Sequence, residues 1–356
     1  MYKRIIIKIG TKVISTDAGD LDRAVMGQIV DQVAALRQKN IDAVIVTSGA
    51  VAAGKSLLSL KGKGQVVQKQ VFAATGQVKL MGIYSELFKQ RNYVCAQVLV
   101  TKEDFRDKTH YLNMRNCFEG LLLDKVIPIV NENDVIATTE LLFTDNDELA
   151  GLVASQLNAD AVIILTSVDG VLSGDPKDPS SKVIEEIDFD SIASAQRHVT
   201  PEKSLFGRGG MLTKFAIARK LSVQGIVTHI ANGKQGHILT DIVEGRRRGT
   251  TFLARKRSSA LKRRLAYSEG LAKGAVRVNK CAEDILTSKE KIISLLPVGI
   301  TRVEGDFSKG DIIEIKSEDR TKLGFGIAQY GSEKARELQG EKNGKPLIHY
   351  NYMFIE

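Results

Sequence analysis

The chain has 356 residues, 43% hydrophobic and 26% charged, with six prolines and a formal net charge of +9. That length carries a full-sized core and about two domains, and the composition excludes disorder as the main state. No run approaches the roughly 18 uninterrupted apolar residues of a membrane helix, and the N-terminal MYKRIIIKIGTK is too short in apolar residues for a signal peptide. The expectation is a cytoplasmic protein that engages no membrane.

In chain order, apolar β-rich runs alternate with helical patterns: RIIIKI, a helix over about 24–39, DAVIVT, then YVCAQVLV, VIPIV, DAVIILT and GIVTHIA. VIPIV and AVIILT are apolar at every position, as in strands buried on both faces of a parallel sheet. The alternation predicts an α/β fold, a three-layer αβα sandwich on a mainly parallel open sheet. Ligands of such sheets sit beyond the carboxyl ends of the strands. The loops to read are therefore KIGTK, TSGAVAAGK, NENDV, TSVDGV and ANGK, each directly after a strand.

Near position 250 the texture changes. The basic segment RKRSSALKRRL gives way to short β-like runs separated by turn residues, AVRVN, LLPVGITRVEGDFSKGDIIEIKS, FGIAQY and PLIHYNYMFI, the pattern of a small β-barrel or sandwich. The predicted organisation is an α/β domain over 1–252, a basic linker over 253–272 and a mainly-β domain over 273–356. Arg246, Arg247 and Arg248, followed by Arg255, Lys256, Arg257, Lys262, Arg263 and Arg264, suggest either a solvated face or an anionic partner. Cys95, Cys117 and Cys281 lack metal-ligand spacing and read as small buried hydrophobes in a reducing compartment.

Five segments carry candidate chemistry. Lys8 ends an isoleucine strand and meets Gly10 and Thr11; it is either an edge lysine or a phosphate contact. The small residues of TSGAVAAG let helix-start amides approach an anion, or let a helix pack closely. NENDV and FTDNDELAG bring Asn131, Glu132, Asp134, Asp145, Asn146 and Asp147, residues of binding sites and equally of turns and caps. GRGGMLTK, at 207–214, puts Lys214 one turn into a helix behind a glycine loop that is not the G-x-x-x-x-G-K-[ST] phosphate loop.

Taken together, KIGT, TSGAVAAG, NENDV, TDNDELA, DPKDP and GRGGMLTK resemble, in order and context, the amino acid kinase family, and LLPVGITRVEGDFSKGDIIEI is similar to a PUA domain. The resemblance spans nearly the whole chain. It implies an amino acid kinase fold with a C-terminal PUA barrel, and ATP-dependent phosphorylation of the side-chain carboxylate of L-glutamate. Magnesium is implied to be held chiefly by the ATP phosphates, with no dedicated protein metal site.

Residue by residue, the resemblance implies that Lys8 and Lys214 neutralise the phosphoryl group in flight while Asp147 holds both lysines. It assigns Ser48, Asp134 and Asn146 to glutamate. Lys8, Thr166, Ser167, Arg208, Gly209, Gly210, Met211, Leu212, Thr213 and Lys214 go to ATP. Ser167 and Arg208 depart from the residues common at those places. A carboxylate with a pKa of about 4.3 is ionised at pH 7 and needs no general base, which suits a site without histidine or cysteine. Also implied are feedback inhibition by proline, transient contact with a glutamyl phosphate reductase, and a homo-oligomer. Two rivals stay open at this point: another acceptor on the same fold, and RNA binding through the PUA tail and basic linker.

Overall fold

The computed structural model describes residues 2–59, 64–136, 143, 145–175, 178, 180–192, 210–254, 272–288, 293–342 and 344–355. It divides into two compact units, Met1–Lys102 with Met114–Arg257, and Glu103–Asn113 with Ser258–Glu356.

In the first unit, β1 (Arg4–Ile9), β2 (Asp42–Val46), β3 (Cys95–Val100), β4 (Ile127–Glu132), β5 (Ala161–Thr166), β6 (Glu186–Ile187), β7 (Val227–Asn232) and β8 (Thr250–Phe252) form one eight-stranded sheet in the order β3-β4-β2-β1-β5-β7-β8-β6. The pairs among β1 to β5 and β7 are parallel, and only β8 against β7 is antiparallel. Every residue of β4 is buried, the polar Asn131 and Glu132 included, as are the first five of β5; burial of IPIV and AVIIL is what their apolar runs require. The chain builds outward from β1 to one side, then returns to build the other side from β5. The order therefore reverses beside β1, where open sheets place their ligands.

The two-residue period of a strand decides what Lys8 faces. Ile5, Ile7 and Ile9 point into a core shared with Met26, Ile29 and Val33 of the helix Arg23–Gln38 and with Leu80 and Tyr84 of the helix Gln65–Lys89. Ile6 and Lys8 point to the opposite face, which the helix Asn146–Gln156 covers, itself packed against the helix Met211–Val223. Helices on both faces give the expected three layers.

Helices Ala50–Leu57 and Gln65–Lys89 touch backbone to backbone. A Cβ added at Gly54 would lie 1.9 Å from the Phe72 carbonyl oxygen, and one at Gly76 only 1.8 Å from that of Ala50. Of the two readings of TSGAVAAG, close packing therefore accounts for Gly54. Gly49, at φ 105°, occupies left-handed backbone at the helix start.

In the second unit, β9 (Gly274–Val278), β10 (Ile300–Gly305), β11 (Ile312–Lys316), β12 (Lys322–Ile327) and β13 (Met353–Ile355) form a five-stranded mixed sheet in the order β10-β9-β11-β12-β13. Its own core includes Val276, Val278, Ile313, Ile315, Leu347 and Ile348.

Several sequence expectations need adjustment. Cys95 is only half-buried, and Cys117 and Cys281 are exposed, so the reading of all three as buried hydrophobes fails: Cys95 lies on β3 at the edge of the sheet, and Cys117 and Cys281 lie on the exposed sides of the helices Lys108–Leu123 and Lys280–Thr287. Arg246 and Arg248 both pair with Asp241 at 2.7 Å, and Arg247 with Glu185 at 2.8 Å, so this run is an ion-paired surface. The second basic run and most of the linker lie outside the described residues. Among the described residues no helix is long and apolar enough to cross a membrane.

One buried histidine makes the first unit acid-sensitive. His229 sits in β7 between the Tyr2 hydroxyl, 2.8 Å from Nε2, and the Thr251 hydroxyl, 3.0 Å from Nδ1. Burial lowers its pKa to about 4, whereas the unfolded chain would titrate near 6.5. Stability from the neutral ring is thus complete above about 6.5 and lost as pH falls toward 4. Between pH 7.5 and 5 the loss is about 2 kcal/mol. Urea midpoints at those two pH values should fall further in the wild type than in His229→Gln; equal slopes would assign the acid sensitivity elsewhere.

Candidate active site

Asp145 caps the helix Asn146–Gln156, accepting from the Asp147 amide at 2.9 Å and the Glu148 amide at 3.0 Å. The cap fixes the first turn beneath the end of β1. Asp147, fully buried there, meets two lysines: Lys8 Nζ lies 2.6 Å from Oδ1 and Lys214 Nζ 2.9 Å from Oδ2. Both lysines are themselves buried, at 8% and 6% exposure.

Burial alone would raise the Asp147 pKa, but the two ammonium groups outweigh it and hold the acid down at about 2. Asp145 moves the other way, raised first by burial and then by the neighbouring Asp147 charge. Within the trio two cations share one anion, so a positive charge remains for an incoming phosphate. At the turn after β1 the Gly10 amide donates to the Leu165 carbonyl at 3.2 Å, and a Cβ at Gly10 would lie 3.4 Å from that oxygen and 3.8 Å from Lys8 Nζ.

Lys214 is carried by the helix Met211–Val223, whose N-cap is Gly210. Thr213 Oγ1 closes the first turn by donating to the Gly210 carbonyl at 2.8 Å, with Met211 and Leu212 half-buried beside it. Arg208 and Gly209 lie outside the described residues. Thr166 and Ser167 leave the end of β5, where the Thr166 carbonyl accepts from the Gly233 amide at 2.9 Å. The next acidic residue, Asp169, accepts from Asn232 at 2.9 Å and Gln235 at 2.8 Å, tying the TSVDG and ANGK loops together.

A second polar group lies on the other side of Asp147. Asn146 Nδ2 donates to the Thr47 carbonyl at 2.6 Å, Ser48 Oγ at 2.9 Å and Asn131 Oδ1 at 3.2 Å. Asn131 in turn donates to Gln77 Oε1 at 2.9 Å, and the Thr47 and Tyr84 hydroxyls stand 3.0 Å apart. Asp134 forms an ion pair with Lys69. Lys69, Gln77 and Tyr84, all on the helix Gln65–Lys89, escaped the sequence reading. Their only signal was polar residues in an otherwise ordinary helix.

A mainly parallel sheet that presents two buried, carboxylate-bridged lysines at its switch point has the makings of a phosphoryl-transfer enzyme, because that chemistry depends on positioning and charge. The match to known families agrees. Residues 3–232 match the amino acid kinase family and residues 274–348 the PUA domain. The chain is 51% identical over 356 residues to a protein named glutamate 5-kinase from Chlorobaculum tepidum, covering 100% of this chain and 98% of the relative. A second of that name, from Bacteroides thetaiotaomicron, is 45% identical, covering 100% of this chain and 99% of the relative. The chain belongs to the amino acid kinase family and, within it, to the glutamate 5-kinase family. The solved structure of carbamate kinase from Giardia lamblia bound to AMP-PNP shares the fold, with a TM-score of 0.53 at 18% identity, over 71% of this chain and 99% of that one.

Proposed function

We propose that this protein transfers the γ-phosphoryl group of ATP to the side-chain carboxylate of L-glutamate, giving L-glutamyl 5-phosphate and ADP. The observation that carries the reading is the Lys8–Asp147–Lys214 trio, two cations fixed by one buried acid.

In the transfer, a glutamate carboxylate oxygen bonds to the γ-phosphorus as the bond to the β-γ bridging oxygen breaks and ADP leaves. No proton moves, since the acceptor is already ionised at neutral pH. Charge spreads over the equatorial phosphoryl oxygens, and Lys8 and Lys214 oppose it without having to reorganise, because Asp147 already orients both. Asn146, through Ser48 and the Thr47 carbonyl, shapes the glutamate side. The Asp134 carboxylate supplies the negative charge for the substrate's ammonium group.

The nucleotide side is assigned to Thr166, Ser167 and the helix start Gly210–Lys214. Magnesium would arrive on the ATP phosphates and keep waters of its own. It supplies further neutralisation of the phosphates when bound.

The test is ADP release from ATP and magnesium with L-glutamate, L-aspartate, N-acetylglutamate or a nucleoside monophosphate as acceptor, with hydroxylamine present to trap an acyl phosphate as its hydroxamate. L-Glutamate is expected to give the highest kcat/KM and the hydroxamate in step with ADP. Turnover with a different acceptor would replace the substrate, and ADP without hydroxamate would replace the reaction.

A further inference from the structure

Three cations form one lateral row across the C-terminal sheet. Arg302 of β10 and Arg277 of β9 are direct partners in the antiparallel pairing, and Lys316 of β11 is the partner of Arg277 in the parallel one. Side chains at one register position on adjacent strands share a face, and like charges set opposite one another destabilise a sheet. With Arg320 from the turn after β11, these side chains line an open concavity of about 600 Å3.

The carboxylates at hand answer this charge incompletely. Glu304 pairs with Arg277 and stands 4.0 Å from Arg302, and Glu314 lies 2.7 Å from Lys316. Two anions against four cations leave an excess of positive charge. Arg277, at the centre of the row, has its Nε buried without a hydrogen-bond partner among the described residues. Arg320 stands at φ 70°, left-handed backbone that disfavours a residue with a side chain and where Gly or Asn is the ordinary choice. Two local penalties thus converge on the same hollow.

Among the described residues no aromatic side chain lines the concavity, so none of them would stack a ring. What it offers is charge and guanidinium forks, whose geometry matches phosphoryl oxygens. We propose that this concavity binds a phosphoanion carrying at least two negative charges, held by Arg277, Arg302, Lys316 and Arg320. The phosphoryl group is the shared chemistry, presented either by a free small molecule or by a nucleic-acid backbone.

Calorimetric titration of the full chain with pyrophosphate tests the site. Arg302→Gln/Arg320→Gln removes two exposed cations and leaves the kinase-site residues unchanged, so any pyrophosphate binding there is common to both proteins. Lys309→Gln/Lys334→Gln removes the same charge from elsewhere on the unit. Expected is a binding event in the wild type and in the lysine control that weakens at least about tenfold in the arginine variant. Equal titration of wild type and arginine variant, or equal loss in the control, overturns the proposal.

Arg320→Gly separates binding from turn chemistry. It should raise the melting temperature by relieving the backbone while weakening pyrophosphate binding; a gain in stability with unchanged binding counts against the site. A short oligouridylate, titrated at about 50 and 200 mM salt, identifies the source. Tighter, salt-sensitive binding that needs Arg302 and Arg320 points to a nucleic-acid backbone, and pyrophosphate binding without it points to a small molecule. Both results uphold the site.

Discussion

Asp147→Asn is expected to lower kcat about a thousandfold and to destabilise the fold by about 3–5 kcal/mol. The two effects have one origin. The carboxylate is the charge that permits two ammonium groups, each more than nine-tenths buried, to stand at the end of β1. An amide keeps the shape and removes the charge, so both lysines must find water, lose protons or move.

Lys214→Ala provides the contrast. It takes one cation from the phosphoryl site but leaves Asp147 paired with Lys8, so kcat should fall about 10²- to 10³-fold with a smaller loss of stability than Asp147→Asn. The acid limb supplies a third reading. The Asp147 pKa is held at about 2 against about 3.9 in the unfolded chain. Its contribution, roughly 2–3 kcal/mol in all, is therefore complete above about pH 5 and lost as pH falls through about 2. Urea melts and steady-state kinetics on the three proteins decide the matter. If Asp147→Asn proves as stable as Lys214→Ala, the trio is not the electrostatic unit described here.

What the sequence made legible follows from where its signals are local. Strands buried on both faces must be apolar throughout, so VIPIV and AVIILT named themselves. Lys8, Asp147 and Lys214 could be singled out because each interrupts a pattern: a cation in an isoleucine strand, an acid just after a cap, a lysine behind a glycine loop. The glutamate side was only partly legible. Asn131 and Asn146 lie in dense polar stretches, at the end of β4 and the start of a helix, but Gln77 and Lys69 reach the same region from a 25-residue helix with no local feature to distinguish them. Their placement depends on how that helix packs, which no spacing in one segment encodes. The row of Arg302, Arg277 and Lys316 was equally hidden, because strand register brings together positions that lie up to 39 residues apart (316 minus 277).

The packing of that long helix yields the other large effect. Gly76→Ala is expected to destabilise the chain by about 3 kcal/mol or more, at the upper end of what overpacking costs. The added Cβ would lie 1.8 Å from the Ala50 carbonyl oxygen and 2.3 Å from the Gly54 nitrogen. Both are backbone atoms, so no side-chain rotation relieves the clash, and the two helices must separate. Separation reaches the active site along two routes. The helix Ala50–Leu57 begins directly after Ser48 and Gly49, and Gln77, the residue after Gly76, holds Asn131 at 2.9 Å. KM for the acceptor should therefore rise more than KM for ATP. Gly82→Ala, on the same helix, is the control: nothing lies within 4 Å of its added Cβ, and exchanging an exposed helical glycine for alanine should stabilise by about 0.5–1 kcal/mol. Thermal melts and both KM values of the two variants test the claim together. Opposite signs in stability, with the KM change confined to Gly76→Ala and to the acceptor, mean that helix contact sets the acceptor side of the site. A Gly76→Ala protein that is destabilised yet binds its acceptor normally would mean that the Ser48 and Asn131 network tolerates movement of the helices behind it.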